Sequence, residues 1–151
     1  MLVGKINFDG QECVQCYNIV QSLISKPYIV NKMKKIYHLT TCSTNQRILA
    51  ELKPGKAFVM QDIKKEAITP DQLDEMKELA GSYESLFSRV AMKFRSMGLN
   101  EMKLTEKDYR KYILQEYTFL KRPVIINGNE IFIGNAPKTV AAAKESLSSK
   151  K

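Results

Sequence analysis

What this 151-residue sequence lacks narrows it before any motif is considered. It has no apolar run approaching the roughly 20 residues that a membrane-crossing helix needs, which excludes a transmembrane helix. Its first residues offer Lys5, but Asp9, Gln11, Glu12 and Gln15 interrupt any signal-peptide core. There is one histidine, His38, and beyond residue 16 there is one cysteine, Cys42. With one histidine and no clustered cysteines in the domain, a structural zinc site is not expected, and neither is any bound cofactor. The chain carries a net charge of +8, yet no dense basic block with interleaved aromatics. Lysines instead alternate with acids, as in Lys64-Lys65-Glu66 and Lys77-Glu78, and no direct nucleic-acid contact is expected. The charge fits an anionic small substrate or an acidic protein partner. A cytoplasmic monomer with reduced thiols is the expectation.

What is present suits a globular domain, since a hydrophobic share of 44% is enough to build a core. Residues 1–32 show no clear periodicity, include Cys13-Val14-Gln15-Cys16, and read as an N-terminal extension. From Met33 onward each segment carries start and stop signals, so residues 33–151 are expected to form the domain. Ile36 to Leu39 reads as a short buried strand, Asn45 to Leu52 as a helix stopped by Lys53-Pro54-Gly55, and Ala57 to Met60 as a second strand. Thr69-Pro70-Asp71-Gln72 starts a helix that ends at Gly81, and Thr105 caps another through about Glu116. Between them, Tyr83 to Phe94 predicts one or two short helices. Two apolar runs, Val124-Ile125-Ile126 and Ile131-Phe132-Ile133, flank Asn127-Gly128-Asn129-Glu130 as a hairpin, and a helix from Pro137 to Leu147 follows. Early strands separated by a helix should be parallel, while the hairpin is antiparallel. The expected fold is α/β, a thioredoxin-like mixed four-stranded sheet with a helical insertion.

The residues that carry chemistry begin with Cys42, which lies where a strand ends and a helix begins. Unpaired backbone N–H groups and the positive end of the helix dipole stabilise a thiolate there, and the thiolate is the nucleophile. The bland alternative is a small buried residue, the commonest role of a free cysteine. His38, four residues earlier, can share the thiol proton or serve only as a hydrogen-bonded structural residue. Arg89, set between Leu86-Phe87 and Val90-Ala91, is either snorkelling or directed at an anion. Arg122-Pro123 precedes the hairpin, where a proline can mark a cis peptide.

These residues fall in a wider pattern. Tyr37-His38 with Cys42 four places on, Leu86-Phe87-Ser88-Arg89 followed by Phe94-Arg95-Ser96-Met97-Gly98-Leu99, and Leu120-Lys121-Arg122-Pro123-Val124-Ile125-Ile126 leading to Gly128-Asn129 and Ile133-Gly134 occur in that order. From Lys35 to about Leu147 the chain resembles the arsenate reductase (ArsC) and Spx family of thioredoxin-like proteins. The resemblance implies that Cys42 is a redox nucleophile attacking an oxyanion or a disulfide, with His38 assisting it. It also implies that Arg89 and Arg122, with Thr44 and Asn45, bind the substrate, and that Pro123 is a cis proline facing the cysteine. With no second cysteine beside Cys42, external glutathione and glutaredoxin would complete the reaction.

Several departures qualify the transfer. The third arginine that such reductases carry after the hairpin is replaced by the stretch Ile133-Gly134-Asn135, and Gln46 stands where the family has Arg or Lys, with Arg47 next to it. Spx regulators commonly have C-x-x-C at this site, and here the second position is Asn45. The Ile133-Gly134 ending nevertheless looks more like the Spx branch. The alternative function is therefore a Spx-like regulator that contacts RNA polymerase without turnover. Cys13 and Cys16 read as part of the extension, not as a resolving pair.

Overall fold

A computed structural model describes residues 34–148 of the chain. The extension 1–32, with Cys13 and Cys16, lies outside the described residues. Four strands form one sheet in the order β2-β1-β3-β4. β1 (Lys34–His38) pairs in parallel with β2 (Val59–Asp62) and antiparallel with β3 (Val124–Asn127), which closes a hairpin with β4 (Glu130–Ile133). Gly128, at φ 69, makes the hairpin turn in the left-handed region that glycine tolerates.

Strand alternation sorts the core into two layers. Ile36 and Ile125 face α1 (Ser43–Leu52) and α6 (Pro137–Ser148), packing against Ile48, Leu52, Val140 and Ala143. Tyr37, Val124 and Ile126 face the other way, into the larger cluster made by the insertion between β2 and β3. That insertion comprises α2 (Pro70–Ala80), α3 (Tyr83–Leu86), α4 (Met92–Ser96) and α5 (Glu106–Gln115), and contributes Leu73, Met76, Phe87, Tyr109 and Ile113 to the core.

Local signals explain where the long insertion helices start. Thr69 and Gln72 exchange both arms of a capping box at 3.2 Å each, Pro70 opens α2, and Gly81 at φ 85 ends it. At the start of α5 the Asp108 carboxylate accepts both the Thr105 N–H at 2.9 Å and the Thr105 hydroxyl at 2.7 Å. Arg110 on α5 grips Asp74 on α2 through two bonds of 2.8 and 2.9 Å, and Tyr83 adds a third at 2.7 Å. The Arg110 and Tyr83 donors hold the Asp74 carboxyl down at about 2.

One boundary differs from expectation. The second strand is Val59–Asp62, two residues later than the apolar run Ala57 to Met60 suggests. Gly55 accepts the Phe58 N–H at 3.0 Å, so Phe58 still belongs to the turn, and ladder pairing with β1 starts at Val59 opposite Lys35. α1 also starts two residues earlier than expected, at Ser43. That shift makes Cys42 its N-cap.

Candidate active site

A tight turn carries the chain from β1 to α1. The Cys42 N–H donates to the Leu39 carbonyl at 3.1 Å, and Gln46 Nε2 donates to the Thr40 carbonyl at 2.6 Å. Thr40 Oγ1 in turn donates to the Asp62 carboxylate at the end of β2. Cys42 has extended backbone, φ −98 and ψ 113, and its carbonyl accepts the Gln46 N–H at 3.0 Å. The N–H groups of the first helical turn, beginning with Ser43, have no acceptor within the helix, so the cysteine stands at the positive end of a ten-residue dipole.

Cys42 opens into a cavity of about 700 Å³. Cys42, Thr44 and Asn45 make one wall, Phe87, Ser88 and Arg89 a second, and residues 120–122 and 133–136 the rest. Its charged lining is Arg89, Lys121 and Arg122 against Glu84 alone. The local field therefore favours an anion.

Five of the residues singled out from the sequence meet here: Cys42, Thr44, Asn45, Arg89 and Arg122. Pro123 follows Arg122 across a cis peptide bond and begins the lead into β3. Arg122 Nη1 is buried and has no hydrogen-bond partner among the described residues. Asn45 is 2% exposed and donates through Nδ2 to Cys42 Sγ at 3.4 Å.

Arg89 departs from the picture of an arginine aimed at the cysteine. Its Nη2 bonds the Glu84 carboxylate and the Tyr109 hydroxyl, the latter at 2.9 Å. Tyr109 lies not in the Cys42 cavity but in a second one of about 410 Å³, which shares Glu84 and Arg89 with the first. The guanidinium is parked between the two cavities on an internal counter-ion.

His38 is not among the residues lining the cavity. Alternation along β1 sets it on the face of Ile36, beneath the helices α1 and α6, where it is 8% exposed. Burial lowers its pKa below the ordinary value of 6.5, and the charge of Asp62, its register partner on β2, opposes that only in part. Its Nδ1 is buried with no partner among the described residues. The unfolded chain binds a proton that folded His38 refuses, so stability is full above 6.5 and falls as the pH drops through 6.5 toward the lowered folded value. Urea titrations at a series of pH values should show that decline in the wild type. In His38→Gln the decline over the same interval should be markedly shallower; an unchanged slope would assign it to other groups.

The site residues that sequence reasoning missed are Glu84, Ser88 and Lys121. Glu84 precedes Arg89 by five residues across the end of α3, a spacing with no helical pairing rule to flag it. Lys121 was open to view beside Arg122, and its ammonium donates to the Ser85 carbonyl at 2.9 Å.

With this geometry in place, comparison with known proteins gives the family. The ArsC family model matches residues 37–143, which include every residue lining the Cys42 cavity. The chain belongs to the ArsC family. A curated arsenate reductase of Haemophilus influenzae is 24% identical over 108 residues, covering 70% of this chain and 93% of that protein. Among solved structures, the YFFB protein superposes with a TM-score of 0.61 at 23% identity, covering 74% of this chain and 98% of the other. An arsenate reductase from Vibrio cholerae gives 0.59 at 17% identity, covering 74% and 98%. The mixed four-stranded sheet with its helical insertion is the thioredoxin-like fold of the ArsC family. Among the described residues no group of histidine, cysteine and carboxylate side chains is arranged to hold a metal ion, and no helix is long and apolar enough to cross a membrane.

Proposed function

We propose that this ArsC-family protein reduces an oxyanion of the arsenate class, with Cys42 as the nucleophile. The observation that carries the reading is that Arg122, whose buried Nη1 has no partner among the described residues, lines the same cavity as Cys42. A buried cationic donor without an acceptor is costly unless an anion completes it, and a tetrahedral oxyanion presents acceptors to a guanidinium in a planar, paired fashion. Arg122 anchors the substrate, Thr44 and the open N–H groups of α1 contact its remaining oxygens, and Arg89 leaves Glu84 to join them.

The Cys42 sulfur then bonds to arsenic as one oxygen leaves as water. External thiols supply the two electrons that convert arsenate to arsenite and end as a disulfide, which restores the Cys42 thiol. Among the described residues Cys42 is the only cysteine, and in this reading the second thiol comes from glutathione and glutaredoxin, with Cys13 and Cys16 outside the described residues.

The test is arsenate-dependent consumption of glutathione, coupled to glutaredoxin and glutathione reductase. Wild type should turn over, and Cys42→Ser should fall to the background rate. Folded wild-type protein with no turnover, or a Cys42→Ser variant that retains it, would end this reading. The rival, a Spx-like contact with RNA polymerase, draws on Val90 and Met92, which stand 93% and 91% exposed beside Arg89. Retention of polymerase by immobilised protein, lost in Val90→Glu, would favour that rival.

A further inference from the structure

The position three residues after Cys42, where a second thiol would complete a C-x-x-C pair, holds Asn45, and its amide is not free to turn. Asn45 Oδ1 accepts the Leu39 backbone N–H at 3.1 Å. That bond decides which end of the carboxamide is which, because a flipped amide would oppose its NH₂ to another donor. The NH₂ is thereby committed to Cys42 Sγ at 3.4 Å. Leu39 closes the loop by accepting the Cys42 N–H at 3.1 Å. Leu39, Cys42 and Asn45 form a ring of three hydrogen bonds, and the side chain at its centre is 2% exposed.

We infer that Asn45 is a positioning residue whose fixed N–H donor orients the Cys42 sulfur and favours its anionic form over the neutral one, and is not a substrate contact. A fixed N–H donor favours the anionic acceptor over the neutral one, and thiolate is by far the better acceptor. The same donor favours departure of the Cys42 sulfur when an external thiol attacks its disulfide partner, since the leaving group departs as thiolate. The position that would carry an internal resolving thiol is thus used to commit the site to one-thiol chemistry. This rests on the reading of Cys42 as the nucleophile, but it requires no particular oxyanion.

The experiment uses the full chain with Cys13→Ser and Cys16→Ser, and follows both iodoacetamide alkylation of Cys42 and ultraviolet thiolate absorbance against pH. Asn45→Asp keeps an acceptor for Leu39 but replaces the donor facing sulfur with an anion. Its pH–rate profile should move toward higher pH by about one unit or more, with alkylation at neutral pH about 10-fold slower. Asn45→Ala should move it the same way by a smaller amount, about threefold in rate. In the unsubstituted protein, the Asn45 side-chain amide NMR signals should follow the ionisation of Cys42, a readout that does not depend on how well a variant folds. If Asn45 only anchors the turn, Asn45→Ala leaves the profile in place and the amide signals stay still as the sulfur ionises. Either result overturns the inference. A protein inert toward arsenate that nevertheless shows these shifts would retire the oxyanion reading alone.

Discussion

Replacing Arg122 with methionine should lower kcat/KM for arsenate reduction by about 10²- to 10³-fold, the usual cost of removing one preorganised donor from developing negative charge. Methionine keeps much of the apolar stem, so packing changes little and the guanidinium is what is lost. The partner-free Nη1 gives the prediction a second, independent sign. A structural arginine is paired, as Arg110 is with Asp74, and its loss destabilises. Arg122 has no ion pair among the described residues, so without ligand Arg122→Met should melt at or slightly above the wild-type temperature. Arsenate or phosphate should raise the melting temperature of the wild type by mass action and leave that of Arg122→Met unmoved. Steady-state kinetics and thermal melts with and without anion decide the matter. A variant within about threefold of wild-type kcat/KM, or one that melts lower and still responds to anion, would remove Arg122 from the substrate site. Arg89→Ala should cost less, because Glu84 already competes for that guanidinium.

The contrast between these two arginines marks how far the sequence was legible. Where a feature is set by residues three or four apart, it could be read directly: Thr69, Pro70 and Gln72 start α2 and Gly81 stops it. The hairpin turn at Gly128 and the strands around it were legible for the same reason. Register is a property of two segments, and the start of β2 was misplaced because the apolar pair Ala57-Phe58 looks like a strand until its turn bond to Gly55 is known. The partners that hold Arg89 were hidden in a similar way, since its contact with Tyr109 spans 20 residues and no local pattern announces it. His38 precedes Cys42 by four residues in sequence, yet strand alternation sets its side chain on the sheet face beneath α1 and α6. Asn45 was marked by the resemblance, while the bond to Leu39 that fixes its orientation was not legible in the sequence.

Phe87→Ala should be the most destabilising single change on the wall of the cavity, costing about 3–5 kcal/mol. Phe87 is 2% exposed and sits at the hub of the aromatic cluster. It stacks on Phe119 with centroids 5.1 Å apart, tilts against Tyr109 at 5.0 Å, and meets Phe94 edge-on at 5.8 Å. Beyond the area it buries, each such ring pair adds about 0.5–1.5 kcal/mol. The backbone around it is what ties the insertion to the sheet. Phe87 bridges Leu120, with the Ser88 N–H donating to the Phe119 carbonyl at 2.7 Å and the Lys121 N–H to the Leu86 carbonyl at 2.8 Å. Because this bridge sets the segment carrying Ser88 and Arg89 against the one carrying Lys121 and Arg122, loosening it should widen the cavity as well as lower stability. Denaturant unfolding would give the free-energy loss, a third or more of a typical domain's total. Phe87→Leu should recover most of that stability, since leucine refills much of the volume. If the insertion positions the second wall of the site, the KM for arsenate should rise more in Phe87→Ala than in Phe87→Leu, in step with stability. A loss below about 1 kcal/mol in Phe87→Ala would mean that the aromatic cluster does not hold the insertion against the sheet.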